Sequence, residues 1–222
     1  MIAKSGLRTI LGAALAAALC AACASDTSTR NLEVTHDGLE RVHKSKAERA
    51  WVKPGVDFSQ YTEVGLLDCF VSFRRNWRTS HPGVRTRDME RIKTALSEEF
   101  RTVFTEALES GDYPVVADAD DHVLLIRPAI IDLDVAAPQT NSAGRSDSFT
   151  ASPGVMTLVI ELYDSVSNEI LARAIDRRRA RNTGGIRWTT TGTNRSAARK
   201  ILGRWAGMLV DRLDEIHGKQ GG

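Results

Sequence analysis

The sequence has 222 residues, of which 42% are hydrophobic and 26% are charged, and these values are ordinary for a globular protein. Its formal net charge is only +2, and the excess equals the two basic residues Lys4 and Arg8 at its start. A chain so balanced lacks the positive field that draws proteins to nucleic acid, so we expect no nucleic-acid partner.

Residues 1–22 have the layout of a lipoprotein signal peptide. A basic start precedes an apolar stretch from Ile10 to Leu19, and residues 19–23 read LCAAC. This order of charged, apolar and small residues marks a cleaved export signal, and the apolar run is shorter than a membrane span. We therefore expect cleavage before Cys23 and acylation of its thiol and amine. Secretion without lipid is the alternative, and Cys20 is a poorer acceptor because the bulky Leu19 precedes it.

The residues after Cys23 bear on location. Ala24 and Ser25 follow it, and an Asp that would favour retention in the inner membrane of a Gram-negative cell is missing. More than one acyl chain gives stable anchoring. We expect a protein held on the periplasmic face of the outer membrane.

The mature chain divides into a tether and one domain. Residues 23–50 are polar, as in the run DTSTR at residues 26–30, and predict a lipidated flexible tether. Residues 51–218 are predicted to form the globular domain. Cys69 is the one remaining free thiol, so no internal disulfide is expected, and we interpret Cys69 as buried and inert.

Alternating and helical apolar patterns predict the elements of this domain. Strands are expected over residues 61–71, 113–116, 122–135, 155–164 and 169–181, and helices over residues 87–110 and 195–217. Residues 136–153 form a long polar loop. We predict a single α/β domain with a mixed, mostly antiparallel sheet of four or five strands, packed with two long amphipathic helices.

Two arginine clusters are the best candidates for binding. Guanidinium groups bind carboxylates and phosphates through paired hydrogen bonds, so we expect an envelope protein or an anionic envelope polymer as partner. The alternative is that the arginines pair with nearby acids and protect an edge strand. The first cluster contains Arg74, Arg75, Trp77 and Arg78, and the second contains Arg177, Arg178, Arg179, Arg181, Arg187 and Trp188.

Two motifs carry a resemblance to a known family. Together with the LCAAC site, the runs KPGVDFSQY at residues 53–61 and ELYDSVSNEILA at residues 161–172 resemble the DUF3313 family of bacterial lipoproteins. The similarity extends over about residues 51–214. Ser167 and Asn168 stand where the family has Thr-Gly, and Asn tolerates the positive φ of such a turn. The resemblance implies an uncharacterised lipoprotein and transfers no catalytic residue.

The motifs of known enzymes and cofactor sites do not occur. The histidines are scattered, and the acidic run at residues 118–121 lacks the glycine and glutamate of a calcium loop, so we expect no metal or cofactor. We expect a non-catalytic interaction module. The alternatives are an envelope-polymer enzyme using Asp132, Asp134 or Asp164, and a small-ligand binder with residues 136–153 as a lid.

Overall fold

The computed structural model describes residues 33–135, 154–179 and 191–219, with side chains of the last range from residue 196. They lie within one compact unit, Glu33–Gly222. No helix in these ranges combines the length and apolar character needed to cross a bilayer.

The described residues form one mixed α/β domain. The helices are α1 (Trp77–Ser80), α2 (Thr86–Ser110) and α3 (Thr191–Ile216). The strands are β1 (Glu40–Arg41), β2 (Arg49–Val52), β3 (Glu63–Leu66), β4 (Phe70–Phe73), β5 (Val115–Val116), β6 (Val123–Asp134), β7 (Val155–Asp164) and β8 (Ile170–Arg179).

All eight strands belong to one sheet of order β1-β2-β8-β7-β6-β3-β5, and β4 also pairs with β6. The ladders from β1 to β6 are antiparallel, whereas β3 and β4 run parallel to β6 and β5 runs parallel to β3. The expected α/β class and single domain are confirmed. The expected sheet of four or five strands with two long helices is not matched, since the described residues contain eight strands and, besides the two long helices, the single turn α1.

Part of the difference arises where one strand was predicted over residues 61–71. Leu66 pairs with Ile126 and Phe70 pairs with Ala129, so four steps along this chain match three steps along β6. The extra residue interrupts the pairing, as in a β-bulge, and divides the segment into β3 and β4.

The other part arises at the N-terminal side. Residues 33–50, predicted as tether, supply β1 and the first residues of β2, and β2 pairs along its whole length with β8. Leu39 is 0% exposed. Both strands are short, with two residues in β1 and four in β2, so their own sequence carries little strand signal. The folded part therefore begins before the predicted boundary at Trp51.

Both long helices pack on one face of the sheet. Phe100 and Phe104 of α2 and Leu202 of α3 are buried in the core with Ile126 and Ile130 of β6. The opposite face, here called the second face, carries the cross-strand row Phe70, Ala129, Val159 and Ile175.

The helices α2 and α3 run parallel to each other. Arg199, early in α3, contacts Glu99 of α2, and Gly111 at the end of α2 lies against Val210 late in α3. A Cβ at Gly111 would stand 2.7 Å from Val210 Cγ1, so glycine allows this close approach. Both helices therefore begin at the end of the sheet where β4, β6 and β8 end.

Candidate functional site

The two arginine clusters meet at one end of the sheet. The amide of Arg74 donates to the Leu133 carbonyl of β6, Asp134 pairs with Val155 of β7, and Val155 pairs with Arg179 of β8. Neighbouring strands lie about 4.8 Å apart, so three strand steps place the clusters roughly 14 Å apart. We call this surface the basic end. Its described members are Arg74, Arg75, Arg78, Arg177, Arg178 and Arg179.

Two members of the basic end have acidic partners. Arg74 Nε lies 3.1 Å from Asp134 Oδ2. Arg178 forms an ion pair with the buried carboxylate of Asp176, on the helix face of β8. These two arginines act within the fold, as the alternative interpretation of the clusters expected.

The other four members are exposed. They are Arg75, Arg78, Arg177 and Arg179, and none forms an ion pair with another residue in the described ranges. The parallel helices add to the charge here, because the N-terminus of a helix carries a partial positive charge. At the start of α2 no side chain caps the free amides. The basic end is therefore electropositive although the whole chain has a formal net charge of only +2.

The prediction that Trp77 contacts a partner is wrong. Trp77 is 0% exposed, and its Nε1–H donates to the Val135 carbonyl at 3.0 Å. Its ring packs against Phe73 and His81, with centroids 4.3 and 4.2 Å away. The single turn of α1 directs the indole inward and leaves Arg78 outside. Cys23, Arg181, Arg187, Trp188 and residues 136–153 lie outside the described residues.

The three candidate acid–base residues do not come together. Asp134 lies beside Val155 and Asp164 beside Leu124, at opposite ends of the β6–β7 ladder, roughly 30 Å apart. The Ser167 amide and hydroxyl, both donating to Asp164, lower the pKa of this carboxyl, so Asp164 stabilises a turn. Asp132 is exposed at a bulge with φ of 53°.

Two other kinds of site, a metal site and a reactive cysteine, were also sought among the described residues. No group of three or more His, Cys, Asp or Glu side chains in these ranges is placed to hold a metal ion. Burial raises the pKa of the Cys69 thiol to about 12, as an inert buried cysteine requires.

A second charged network lies on the second face, and it was not predicted. The Glu161 carboxylate accepts hydrogen bonds of 2.9 Å from Arg173 and Tyr163 and forms a 2.9 Å ion pair with Arg127. Arg173 also binds Asp37 through two hydrogen bonds. Two arginines balance two acids, so this network is neutral and holds the N-terminal segment to the sheet. Its members come from separate parts of the chain, so no local sequence pattern predicts the network.

The fold was compared with those of solved structures. A PelC dodecamer from Paraburkholderia phytofirmans is 11% identical, with coverage of 72% of this chain and 96% of that chain and a TM-score of 0.38. A PDZ domain protein from Parabacteroides distasonis is 12% identical, with coverage of 78% and 35% and a TM-score of 0.36. A neuraminyllactose-binding hemagglutinin homolog from Helicobacter pylori is 11% identical, with coverage of 72% and 91% and a TM-score of 0.35. These likenesses are too distant to carry a function.

The sequence comparisons give a clearer result. None of the curated proteins matches this sequence. The model of the family described as "Protein of unknown function (DUF3313)" matches residues 31–209, which is most of the chain and includes β1 and β2. The chain therefore belongs to the DUF3313 family.

Proposed function

We propose that this protein is a non-catalytic interaction module of the bacterial cell envelope. Acyl chains on Cys23 tether it to the periplasmic face of the outer membrane, and the basic end contacts an anionic partner. The observation that carries the proposal is the convergence of two arginine clusters, distant in sequence, on one end of the sheet. Four of their guanidinium groups have no acidic partner among the described residues.

The spacing of these groups favours a partner with several negative charges. An exposed ion pair contributes only about 0.2–1 kcal/mol, so one contact would not hold a partner. Four arginines spread over roughly 14 Å can act together on an acidic protein surface or on a polymer with repeated carboxylates or phosphates. The tether raises the local concentration of the module beside such a partner.

The proposal is tested by cross-linking in intact cells followed by identification of the partner. The compared proteins are the wild type, the fourfold charge reversal of Arg75, Arg78, Arg177 and Arg179 to Glu, and Cys23→Ala as an untethered control. Arg212→Glu is the matched surface control, because Arg212 is exposed near the far end of α3 and pairs only with Glu215 among the described residues.

We expect one envelope partner with the wild type and with Arg212→Glu. We expect that partner to be lost with the fourfold variant and reduced with Cys23→Ala. An unchanged partner with the fourfold variant would show that the basic end does not make the contact. An unmodified Cys23 in the mass spectrum of the mature protein would remove the anchor from the proposal.

A further inference from the structure

The outer edge of β4 has no strand beside it among the described residues. β4 pairs with β6 on one side, and no backbone hydrogen bond from the described part of the chain reaches its other side. Such an edge presents a row of amide and carbonyl groups that can pair with another extended chain.

Charge and proline are absent from the residues of this edge, although β4 has only four residues and its pairing with β6 shifts register between Val71 and Phe73. Proteins protect edge strands with charged residues, proline or very short length. The opposite edge of the sheet, β1, has only Glu40 and Arg41, both charged. By contrast β4 reads Phe-Val-Ser-Phe, with neither a charge nor a proline. The β4 edge therefore differs from the β1 edge in having no charged residue within the strand.

An exposed aromatic group lies on the β4 edge. Phe70 is 64% exposed, and Leu67 just before it is 42% exposed. Asp68 between them forms a 2.7 Å ion pair with Arg101, so the charge there is balanced. Exposed apolar side chains beside polar ones are typical of protein contact sites.

The positive charges that follow β4 in the chain favour a partner with acidic side chains. Arg75 lies two residues after β4 and Arg78 lies in α1, and both are exposed and have no acidic partner in the described ranges. A chain lying along β4 would reach these two guanidinium groups with one of its ends. Acidic side chains at that end would be paired, whereas basic ones would be repelled.

We propose that the edge of β4 binds an extended acidic segment of a partner protein by β-strand addition. One apolar side chain of the segment lies against Phe70, and its acidic residues bind Arg75 and Arg78. This inference rests on the proposed function and makes its partner a polypeptide. A polypeptide fits because only another backbone repeats donors and acceptors at the spacing of a strand edge.

The experiment measures the binding of a fluorescein-labelled peptide to the full mature protein by fluorescence anisotropy. The probe alternates Val and Thr over six residues and continues with three Glu. Two further peptides have the same side chains but carry N-methyl groups on alternate residues. One is methylated at the odd-numbered residues and the other at the even-numbered residues. In an added strand, alternate backbone amides point toward β4. Methylation therefore removes the amide donors that face β4 in only one of these two peptides, and we expect that peptide to lose binding.

Protein variants test the side chains. Phe70→Lys places a charge on the edge, and Val166→Lys is its matched control, because Val166 is 56% exposed on the turn between β7 and β8. We expect Phe70→Lys to weaken binding at least tenfold and Val166→Lys to leave it unchanged. The double variant Arg75→Glu, Arg78→Glu should weaken binding by about tenfold at low salt and less at high salt.

Each remaining outcome overturns the inference. Equal binding of all three peptides, or equal binding of oligoglutamate, would mean attraction by charge without a ladder. A wild-type oligomer that Phe70→Lys converts to monomer, without peptide binding, would mean that a second copy occupies the edge. If the peptide does not bind while the fourfold reversal still removes the cross-linked partner, strand addition fails and the proposed function stands. If neither effect is seen, both fail.

Discussion

Asp176 is a buried carboxylate whose donors come from three parts of the chain. The Glu48 amide donates to Oδ1 at 2.9 Å, the Trp205 indole donates to Oδ2 at 2.7 Å, and Arg178 pairs with both oxygens. The residue thus joins β8 to α3 and to the chain entering β2. A buried charge is tolerated only with such a full set of partners.

Loss of this carboxylate should be costly. Asp176→Ala leaves the buried Trp205 N–H, the Glu48 amide and the half-buried Arg178 guanidinium without their acceptor, and we expect a fall of about 3–5 kcal/mol in the free energy of unfolding. Urea denaturation measures it. Asp121→Ala, at an exposed acid, is the control and should change stability by less than about 0.5 kcal/mol. Equal effects of the two variants would contradict the structural role of Asp176.

Trp77 offers a test that separates packing from binding. Because its ring is fully buried, Trp77→Ala should lower the free energy of unfolding by about 3–5 kcal/mol, and Trp77→Phe should cost less. Arg75→Ala, two residues earlier, should leave stability within about 0.5 kcal/mol. Thermal or urea unfolding of the three variants measures these changes in the free energy of unfolding. If Trp77→Ala is as stable as the wild type but binds the partner more weakly, then Trp77 contacts the partner, as the sequence predicted.

Asp37 should give the protein a measurable acid sensitivity. Burial alone would raise the pKa of this carboxyl, but the hydrogen bonds and charge of Arg173 outweigh burial and lower it below 3.8. The folded state therefore binds the proton less readily than the unfolded state. Its contribution is complete above about pH 4 and is lost as the pH falls through the lower, folded pKa.

The measurement is urea denaturation of the wild type and of Asp37→Asn between pH 7 and pH 3. We expect the wild type to be the more stable at pH 7 and the difference to shrink below about pH 4. A difference that stays constant over this range would mean that the Asp37–Arg173 pair does not stabilise the fold.

At the scale of the element, the N-terminal segment behaves as part of the domain. β2 covers the edge of β8, and Lys46 reaches Asp211 at 3.1 Å on α3. A version of the protein that begins at Glu33 should unfold at the same temperature as a version that begins at Cys23. A version that begins at Trp51 loses β1, half of β2 and the bond from Glu48 to Asp176, and it bares an edge strand.

We therefore expect the shorter version to unfold about 10 °C lower or to aggregate on heating, since several kcal/mol are lost. Circular dichroism and light scattering follow both versions. Identical unfolding would support the predicted boundary at Trp51, because residues 33–50 would then be dispensable.

The elements that sequence predicted well are those whose signal is local. The alternation in β7, the apolar stripe of α2 and the turn at Asn168, whose φ is 56°, all follow from neighbouring residues. β2 escaped prediction because its partner β8 lies more than 100 residues away, and β1 is a strand of two residues that pairs with β2. The division of β3 from β4 depends on the register of β6, which no local pattern contains.

The candidate site was predicted in part, for the same reason. Exposed arginines such as Arg75 and Arg177 were identified from residue type, but their meeting at one end follows from strand order alone. Trp77 was misassigned because an aromatic residue between arginines looks the same in sequence whether it is buried or exposed. The free edge beside Phe70 could not be predicted from sequence, because it depends on which strands lie beside β4.

At the scale of the whole molecule, charge is unevenly distributed although it nearly cancels. Four arginines without an acidic partner among the described residues share one end of the sheet with two parallel helix N-termini. A local field of this kind acts on ligands within about a Debye length and does not depend on net charge. The protein should therefore bind a carboxymethyl cation-exchange resin near neutral pH, through this end.

Two variants of equal net charge test that expectation. Arg75→Glu with Arg78→Glu changes the basic end, whereas Lys44→Glu with Arg212→Glu changes exposed residues elsewhere by the same amount. We expect the first pair to elute at clearly lower salt than the second, because surface charges separated by more than about 10 Å are largely screened at 0.1 M salt. Equal elution of the two would mean that retention follows net charge, and the basic end would then have no special attraction for anions.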